Sequence, residues 1–253
     1  MSTLASHSQQ QAPTLSHLFQ IPMGGGRKAL CFPSEQLIGL VTEPPIYWQK
    51  AETEPQVLDI LTSQFVQIDN FLTKEETSRL LDYVLQNESE FVPTSTSTNH
   101  IDYRRSMTIY SFPEFSQLIT KRITAILPDV FRKVNIEPFP ISEIETQLTT
   151  HNDGNYYKTH NDNGSTDTAT REFTYVYYFY REPKAFSGGE LVIYDSKIEN
   201  KFYVKADTFH TVEPRNNNII FFLSRYIHEV LPVSCPSQAF ADSRFTINGW
   251  VRR

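Results

Sequence analysis

The chain has 253 residues and a mass of 29.3 kDa, 39% hydrophobic and 21% charged, a composition that supports one substantial globular core and excludes a long disordered chain. A formal charge of -6 with a pI near 5.7 gives no global reason to seek a phosphate backbone or an anionic membrane, so nucleic-acid and membrane partners are not expected. With no apolar run of bilayer length, no signal-like N-terminus and only Cys31 and Cys235, the chain reads as a cytoplasmic protein with free thiols, not a disulfide-stapled secreted one.

Residues 1–20, rich in Ser, Gln, Thr and Ala, read as a flexible arm preceding a single domain over 21–253. Gly24-Gly25-Gly26-Arg27-Lys28 lacks the spacing of a phosphate-binding loop and reads as a turn, and Pro44-Pro45 keeps residues 21–60 irregular or short-stranded. Thr73-Lys74-Glu75-Glu76 is a capping box that opens a helix with Leu80, Leu81, Val84 and Leu85 on its apolar side. Thr94 to Asn99 is a Ser/Thr-rich loop leading to Arg104 and Arg105. Ser111-Phe112-Pro113-Glu114 opens a second helix, striped by Phe115, Leu118, Ile119, Ile123, Ile126 and Leu127. The two helices are expected to support a sheet from within residues 65–135.

After Pro138 the texture changes to short apolar or aromatic runs separated by Asn, Gly and Pro, the pattern of a β-sandwich or barrel over 138–253. Expected strands are Ile144 to Leu148, Phe173 to Tyr180, Glu190 to Tyr194, Lys201 to Val204, Asn218 to Leu223, and Phe245 to Val251. Both alternating sets of the Phe173 strand carry rings or Val, so one face should meet a facing sheet and the other the helices. The 18 Phe and 13 Tyr predict an aromatic core.

A His-x-Asp pair in extended chain turns both side chains to one side. The sequence contains two such pairs, His151-Asn152-Asp153 and His160-Asn161-Asp162. His228 follows the apolar run Ile219 to Leu223, which can carry a third ligand back to either pair. Two imidazoles and one carboxylate form the facial triad of non-haem iron(II), and zinc accepts the same atoms. Arg244 and Thr246 share a strand face, and a guanidinium fork beside a hydroxyl suits a carboxylate ligand.

Tyr157 to Asn163, Gly188-Gly189-Glu190-Leu191, His228 to Val233 and Arg244 to Trp250, in that order, resemble the prolyl-hydroxylase-type branch of the iron(II)/2-oxoglutarate oxygenases over residues 65–253. The resemblance implies a mainly β fold, a double-stranded β-helix or jelly roll covered by N-terminal helices. It implies iron(II) held by His160, Asp162 and His228, and 2-oxoglutarate as cosubstrate anchored by Arg244 with Thr246 and Tyr178, with ascorbate as accompanying reductant. Tyr157, three positions before His160, selects the second His-x-Asp pair and leaves His151 to the approach strand. Two departures stand out: Thr150 replaces a tyrosine found in some relatives, and the 16-residue interval from His228 to Arg244 calls for an extra loop around Cys235.

The activity implied is hydroxylation of an aliphatic carbon with dioxygen, and the carboxylate retained at Asp162 favours it over chlorination. A prolyl residue of a protein or peptide leads among substrates, with a free amino acid or small-molecule natural product as the alternative. A non-catalytic jelly-roll module that binds metal is the competing reading outside enzymes.

Overall fold

The computed structural model describes residues 60–94, 102–199 and 202–253, together with the backbone of four short N-terminal strands. The chain forms two compact units, Met1–Val57 and Leu58–Arg253. In the first, β1 (Ala5–Ser6) pairs with β4 (Gly39–Leu40), and β2 (Leu18–Met23) pairs with β3 (Lys28–Pro33). Most of the expected arm, Gly24 to Gly26, Pro44-Pro45, the Cys31 thiol and most of the Thr94–Asn99 loop lie outside the described residues.

The second unit begins with β5 (Phe65–Asp69) and α1 (Lys74–Gln86). α1 starts where the capping box places it: Glu76 N–H donates to Thr73 Oγ1 at 3.1 Å, and Thr73 N–H donates to Glu76 Oε2 at 2.8 Å. Three short strands follow, β6 (Val92–Pro93), β7 (Arg104–Arg105) and β8 (Met107–Ile109), and then α2 (Pro113–Lys133). α2 begins on Pro113, within the segment expected to open it. Phe112 is the N-cap and makes no side-chain cap bond, while Pro113 supplies a preset φ and has no N–H to leave unpaired.

The remaining chain is strand. The expected single strand from Ile144 to Leu148 is two, β9 (Glu143–Ile144) and β10 (Gln147–His151). Glu145, between them, exchanges backbone bonds with Trp250. After them come β11 (Tyr156–His160), β12 (Arg171–Phe179), β13 (Ser187–Gly188), β14 (Leu191–Glu199), β15 (Phe202–Val212), β16 (Asn218–Leu223), β17 (His228–Val230), β18 (Val233–Ser234) and β19 (Arg244–Arg252). An antiparallel sheet of order β5-β16-β12-β19-β10-β8-β6, with β9 on β19, faces a second of order β15-β14-β17-β11-β7. This is the expected jelly roll.

Strand alternation divides the large sheet's chemistry. Phe173, Tyr175, Tyr177 and Phe179 point from β12 toward the helices; Phe131 of α2 lies 5.5 Å from Phe173, and the Tyr177 hydroxyl lies 3.2 Å from Thr77 of α1. All four are buried, and each contributes about 1.5–3 kcal/mol by leaving water. Thr174, Val176 and Tyr178 point the other way, into a cavity between the two sheets. The same period puts Arg244, Thr246, Asn248 and Trp250 of β19 in that cavity, and Phe245, Ile247 and Val251 in the core.

Candidate active site

The cavity encloses about 730 Å³. At its centre β11 ends on His160 and β17 begins on His228, and the antiparallel register makes the two histidines partners. Asp162 follows two residues later; its N–H donates to the Ser224 carbonyl at 2.9 Å, which fixes the turn. His160 Nε2 lies 3.6 Å from Asp162 Oδ1, and His228 Nε2 lies 3.4 Å from Asp162 Oδ2. One donor atom from each residue falls within 4.8 Å of the others, so the three can hold a metal ion.

Their surroundings prepare them for it. His160 Nδ1 donates to the Lys158 carbonyl at 2.7 Å and His228 Nδ1 to the Tyr226 carbonyl at 2.9 Å. A proton held on Nδ1 leaves the Nε2 lone pair available for coordination. Burial, with the neighbouring His228 next, pushes the His160 pKa down to about 3, so this imidazole is a neutral donor at pH 7. Burial opposes ionisation of Asp162, but His228, His160 and the Thr174 hydroxyl hold its carboxyl well below the usual range. Thr174 Oγ1 donates to Asp162 Oδ2 at 2.7 Å. Tyr157 stacks on His160 with ring centroids 3.5 Å apart, locking the ring orientation.

The other end of the cavity carries an uncompensated cation. Arg244 is 1% exposed, and among the described residues no carboxylate lies within ion-pairing distance of it. Its guanidinium carbon sits 4.9 Å from the Tyr178 ring centroid, and NH1 lies 3.4 Å from His151 Nδ1. Arg244 Nε, the Tyr178 hydroxyl and Thr149 Oγ1 are buried with no hydrogen-bond partner. Buried polar groups seldom stay unpaired, and a buried charge is expected to meet an opposite one. A carboxylate supplied from outside the chain satisfies both needs, so these residues fit a dicarboxylate cosubstrate.

The structure thus brings five sequence-selected residues, His160, Asp162, His228, Arg244 and Tyr178, into one cavity, with Thr246 beside Arg244 and hydrogen-bonded to Asn248 at 3.3 Å. The first His-x-Asp pair diverges. His151 ends β10 and faces Arg244, whereas Asp153 lies in the following turn, where its carboxylate accepts the Cys235 N–H at 2.9 Å. That bond, with Asn152 Nδ2 donating to Ser243 Oγ at 2.7 Å, ties down the loop between His228 and Arg244. Arg104 enters the cavity, 4.7 Å over the Tyr157 ring, while Arg105 faces outward to Asp102.

Thr174 and Arg171 carry no role in the sequence analysis, and Gly189, part of the Gly188-Gly189-Glu190-Leu191 motif, takes on a specific one. Thr174 was identifiable, since it shares the alternating face of Tyr178. Arg171, paired with Glu145 and stacked 3.5 Å from the Trp250 ring centroid, walls the cavity mouth through a contact no spacing encodes. Gly189 has φ +70°, and a Cβ there would lie 2.7 Å from Arg244 Cδ. The Gly188-Gly189 turn therefore makes room for the arginine stem.

A jelly roll with this donor set and a lone buried guanidinium defines the class of non-haem iron oxygenases that take a 2-oxo dicarboxylic acid. Comparison with known proteins agrees. The profile of the 2OG-Fe(II) oxygenase superfamily matches residues 146–252. An uncharacterized PKHD-type hydroxylase of Synechocystis sp. is 45% identical over 218 residues, 85% of this chain and 70% of the relative. Among solved structures, a Pseudomonas putida prolyl-4-hydroxylase superposes with a TM-score of 0.54 at 21% identity, covering 76% of this chain and 94% of that one. A Trichoplax adhaerens prolyl hydroxylase in complex with a hypoxia inducible factor peptide fragment gives 0.54 at 19% identity, covering 74% and 83%. The chain belongs to the 2OG-Fe(II) oxygenase superfamily, among the PKHD-type hydroxylases. It is a 2-oxoglutarate-dependent dioxygenase that requires iron(II), oxygen and a substrate. Among the described residues no helix is long and apolar enough to cross a membrane.

Proposed function

We propose that this enzyme hydroxylates a prolyl residue of a protein or peptide, with His160, Asp162 and His228 ligating iron(II) and Arg244, Tyr178 and Thr246 receiving the distal carboxylate of 2-oxoglutarate. The observation that carries the reading is the pairing, in one cavity, of three converged donors with a buried guanidinium that has no counterion among the described residues. When bound, iron and 2-oxoglutarate together activate dioxygen, the cosubstrate leaves as succinate and carbon dioxide, and one oxygen atom enters the substrate as a hydroxyl.

The chain's own groups position and insulate. Nδ1–H bonds to backbone carbonyls hold both imidazoles in the tautomer that coordinates, and Thr174 orients the Asp162 carboxylate. Arg244 neutralises the distal carboxylate in a pocket from which the sheets exclude water. A cavity of about 730 Å³, lined in part by Val176, Leu191 and Trp250, leaves room for a saturated ring with flanking main chain. The peptide fragment bound in the Trichoplax adhaerens prolyl hydroxylase structure supports a peptidyl substrate.

An untargeted mass-spectrometric search of proline-containing proteins and peptides, with iron(II), ascorbate, oxygen and 2-oxoglutarate, tests the proposal. The expected product carries one added oxygen on proline, with one succinate formed per hydroxylation. Addition of oxygen only to free amino acids or small metabolites would overturn the substrate while leaving the reaction in place.

A further inference from the structure

Three arginines line the cavity, and two of them are already engaged: Arg171 is bidentate to Glu145, and Arg244 is assigned to the distal carboxylate of 2-oxoglutarate. Arg104 is the third. It is half-buried, its Nε donates to Ser106 Oγ at 2.8 Å, and Ser106 Oγ donates in turn to Thr94 Oγ1 at 2.9 Å. Its guanidinium carbon lies 4.7 Å from the Tyr157 ring centroid, and that ring stacks on His160. These contacts fix the plane of the guanidinium and use one of its five N–H groups. Among the described residues, neither terminal nitrogen has a hydrogen-bond partner, and no carboxylate lies within ion-pairing distance. Asp162, a metal ligand, is the only carboxylate in the described lining, so the cavity holds a fixed positive charge that its own walls do not meet.

We infer that Arg104 receives a carboxylate carried by the substrate, close to the carbon that is oxidised. The inference rests on the proposed prolyl substrate and narrows it to a proline beside an acidic side chain, or a proline that ends its chain with a free carboxylate. With Nε held by Ser106, the two terminal nitrogens form the fork that grips both oxygens of such a group. One ring separates Arg104 from His160, so the carboxylate stands within about two residues, roughly 7 Å of extended chain, of a carbon presented to the metal. A charged pair of this kind favours an acidic substrate about 10- to 100-fold over a neutral one of similar shape.

Synthetic peptides with a single proline test this on the iron(II)-loaded full chain with 2-oxoglutarate and oxygen. One set is neutral and C-terminally amidated, a second carries Asp or Glu at one of the two positions on either side of the proline, and a third is neutral but ends on the proline as a free acid. Hydroxylated peptide and succinate should form with a kcat/KM at least tenfold higher in the second or third set than in the first. The set that gains identifies the source of the carboxylate. Arg104→Gln, which keeps a donor but removes the charge, should abolish the preference, and Arg104→Lys should keep part of it. Calorimetric titration of the manganese(II)-loaded Arg104→Gln chain should return the parental Kd for 2-oxoglutarate. No preference for acid in the parent, or the same preference in Arg104→Gln, would overturn the inference. So would equal slowing of neutral and acidic peptides in Arg104→Gln, the mark of a packing role. Hydroxylation of all sets alike leaves the prolyl substrate in place and removes only the arginine's part, whereas hydroxylation of no peptide removes both.

Discussion

Replacing Gly189 with alanine should weaken cosubstrate binding by displacing Arg244, although the glycine itself offers no binding group. Gly189 has φ +70°, a region that costs an L-residue about 1–2 kcal/mol. The added Cβ would stand 2.7 Å from Arg244 Cδ and 2.8 Å from Val233 Cγ2. Neither neighbour is a free side-chain end: Arg244 is 1% exposed and Val233 2%. Overpacking of this kind costs about 1–3 kcal/mol, for a total near 2–5 kcal/mol. In a unit of this size that lowers the Tm by roughly 4–20 °C. The strain has one outlet that matters for function, because moving Cδ moves the guanidinium, and the 2-oxoglutarate Kd should rise about tenfold while manganese affinity holds. Gly154→Ala is the matched control. Gly154 has φ +68° with nothing within 4 Å of its Cβ position, so it tests backbone strain without the clash. Thermal melts of both variants with calorimetric titration of 2-oxoglutarate read the two effects separately. Parental affinity in Gly189→Ala, or equal weakening in Gly154→Ala, would refute the claim that this turn shapes the arginine's seat.

Other perturbations address the centre directly. His160→Ala, Asp162→Ala and His228→Ala should each weaken iron(II) binding and nearly abolish succinate formation with circular dichroism preserved; normal iron affinity in His228→Ala would remove it from the ligand set. Thr174→Val deletes the hydroxyl that donates to Asp162 at 2.7 Å, and metal titration should show about a 10- to 100-fold weaker site, whereas an unchanged affinity would mean the carboxylate needs no such orientation. Arg244→Ala should cost about 2–5 kcal/mol in 2-oxoglutarate binding, with Arg244→Lys losing less because it keeps the charge but not the fork. Following the metal-to-cosubstrate absorption band anaerobically checks this step, and equal affinities for parent and Arg244→Ala would make the arginine purely structural.

Local signals carried far along this chain. The capping box at Thr73 was legible because its two bonds join residues three apart, and the helix begins there in the structure. Period-2 alternation placed the rings of β12 against the helices and Tyr178 on the opposite face, since successive side chains of a strand must point to opposite sides. The residue types at 160, 162, 228 and 244, taken in order, disclosed the class of chemistry. Where the pattern was local but sterically undecided, the expectation differed from the fold: Glu145 interrupts the strand from Ile144 to Leu148.

Which of the two His-x-Asp pairs lies beside His228 is set by the tertiary structure. Both have the same local sequence, but β11 pairs with β17 and so sets His160 beside His228, while β10 pairs with β19 and sets His151 beside Arg244. Strand register across a sheet depends on contacts between residues about 70 to 100 positions apart, which no short spacing contains. The same holds for the missing counterion of Arg244 and the space that Gly189 leaves it. Residue chemistry was written in the sequence; which groups meet, and which are left for a ligand, followed from how the two sheets close on each other.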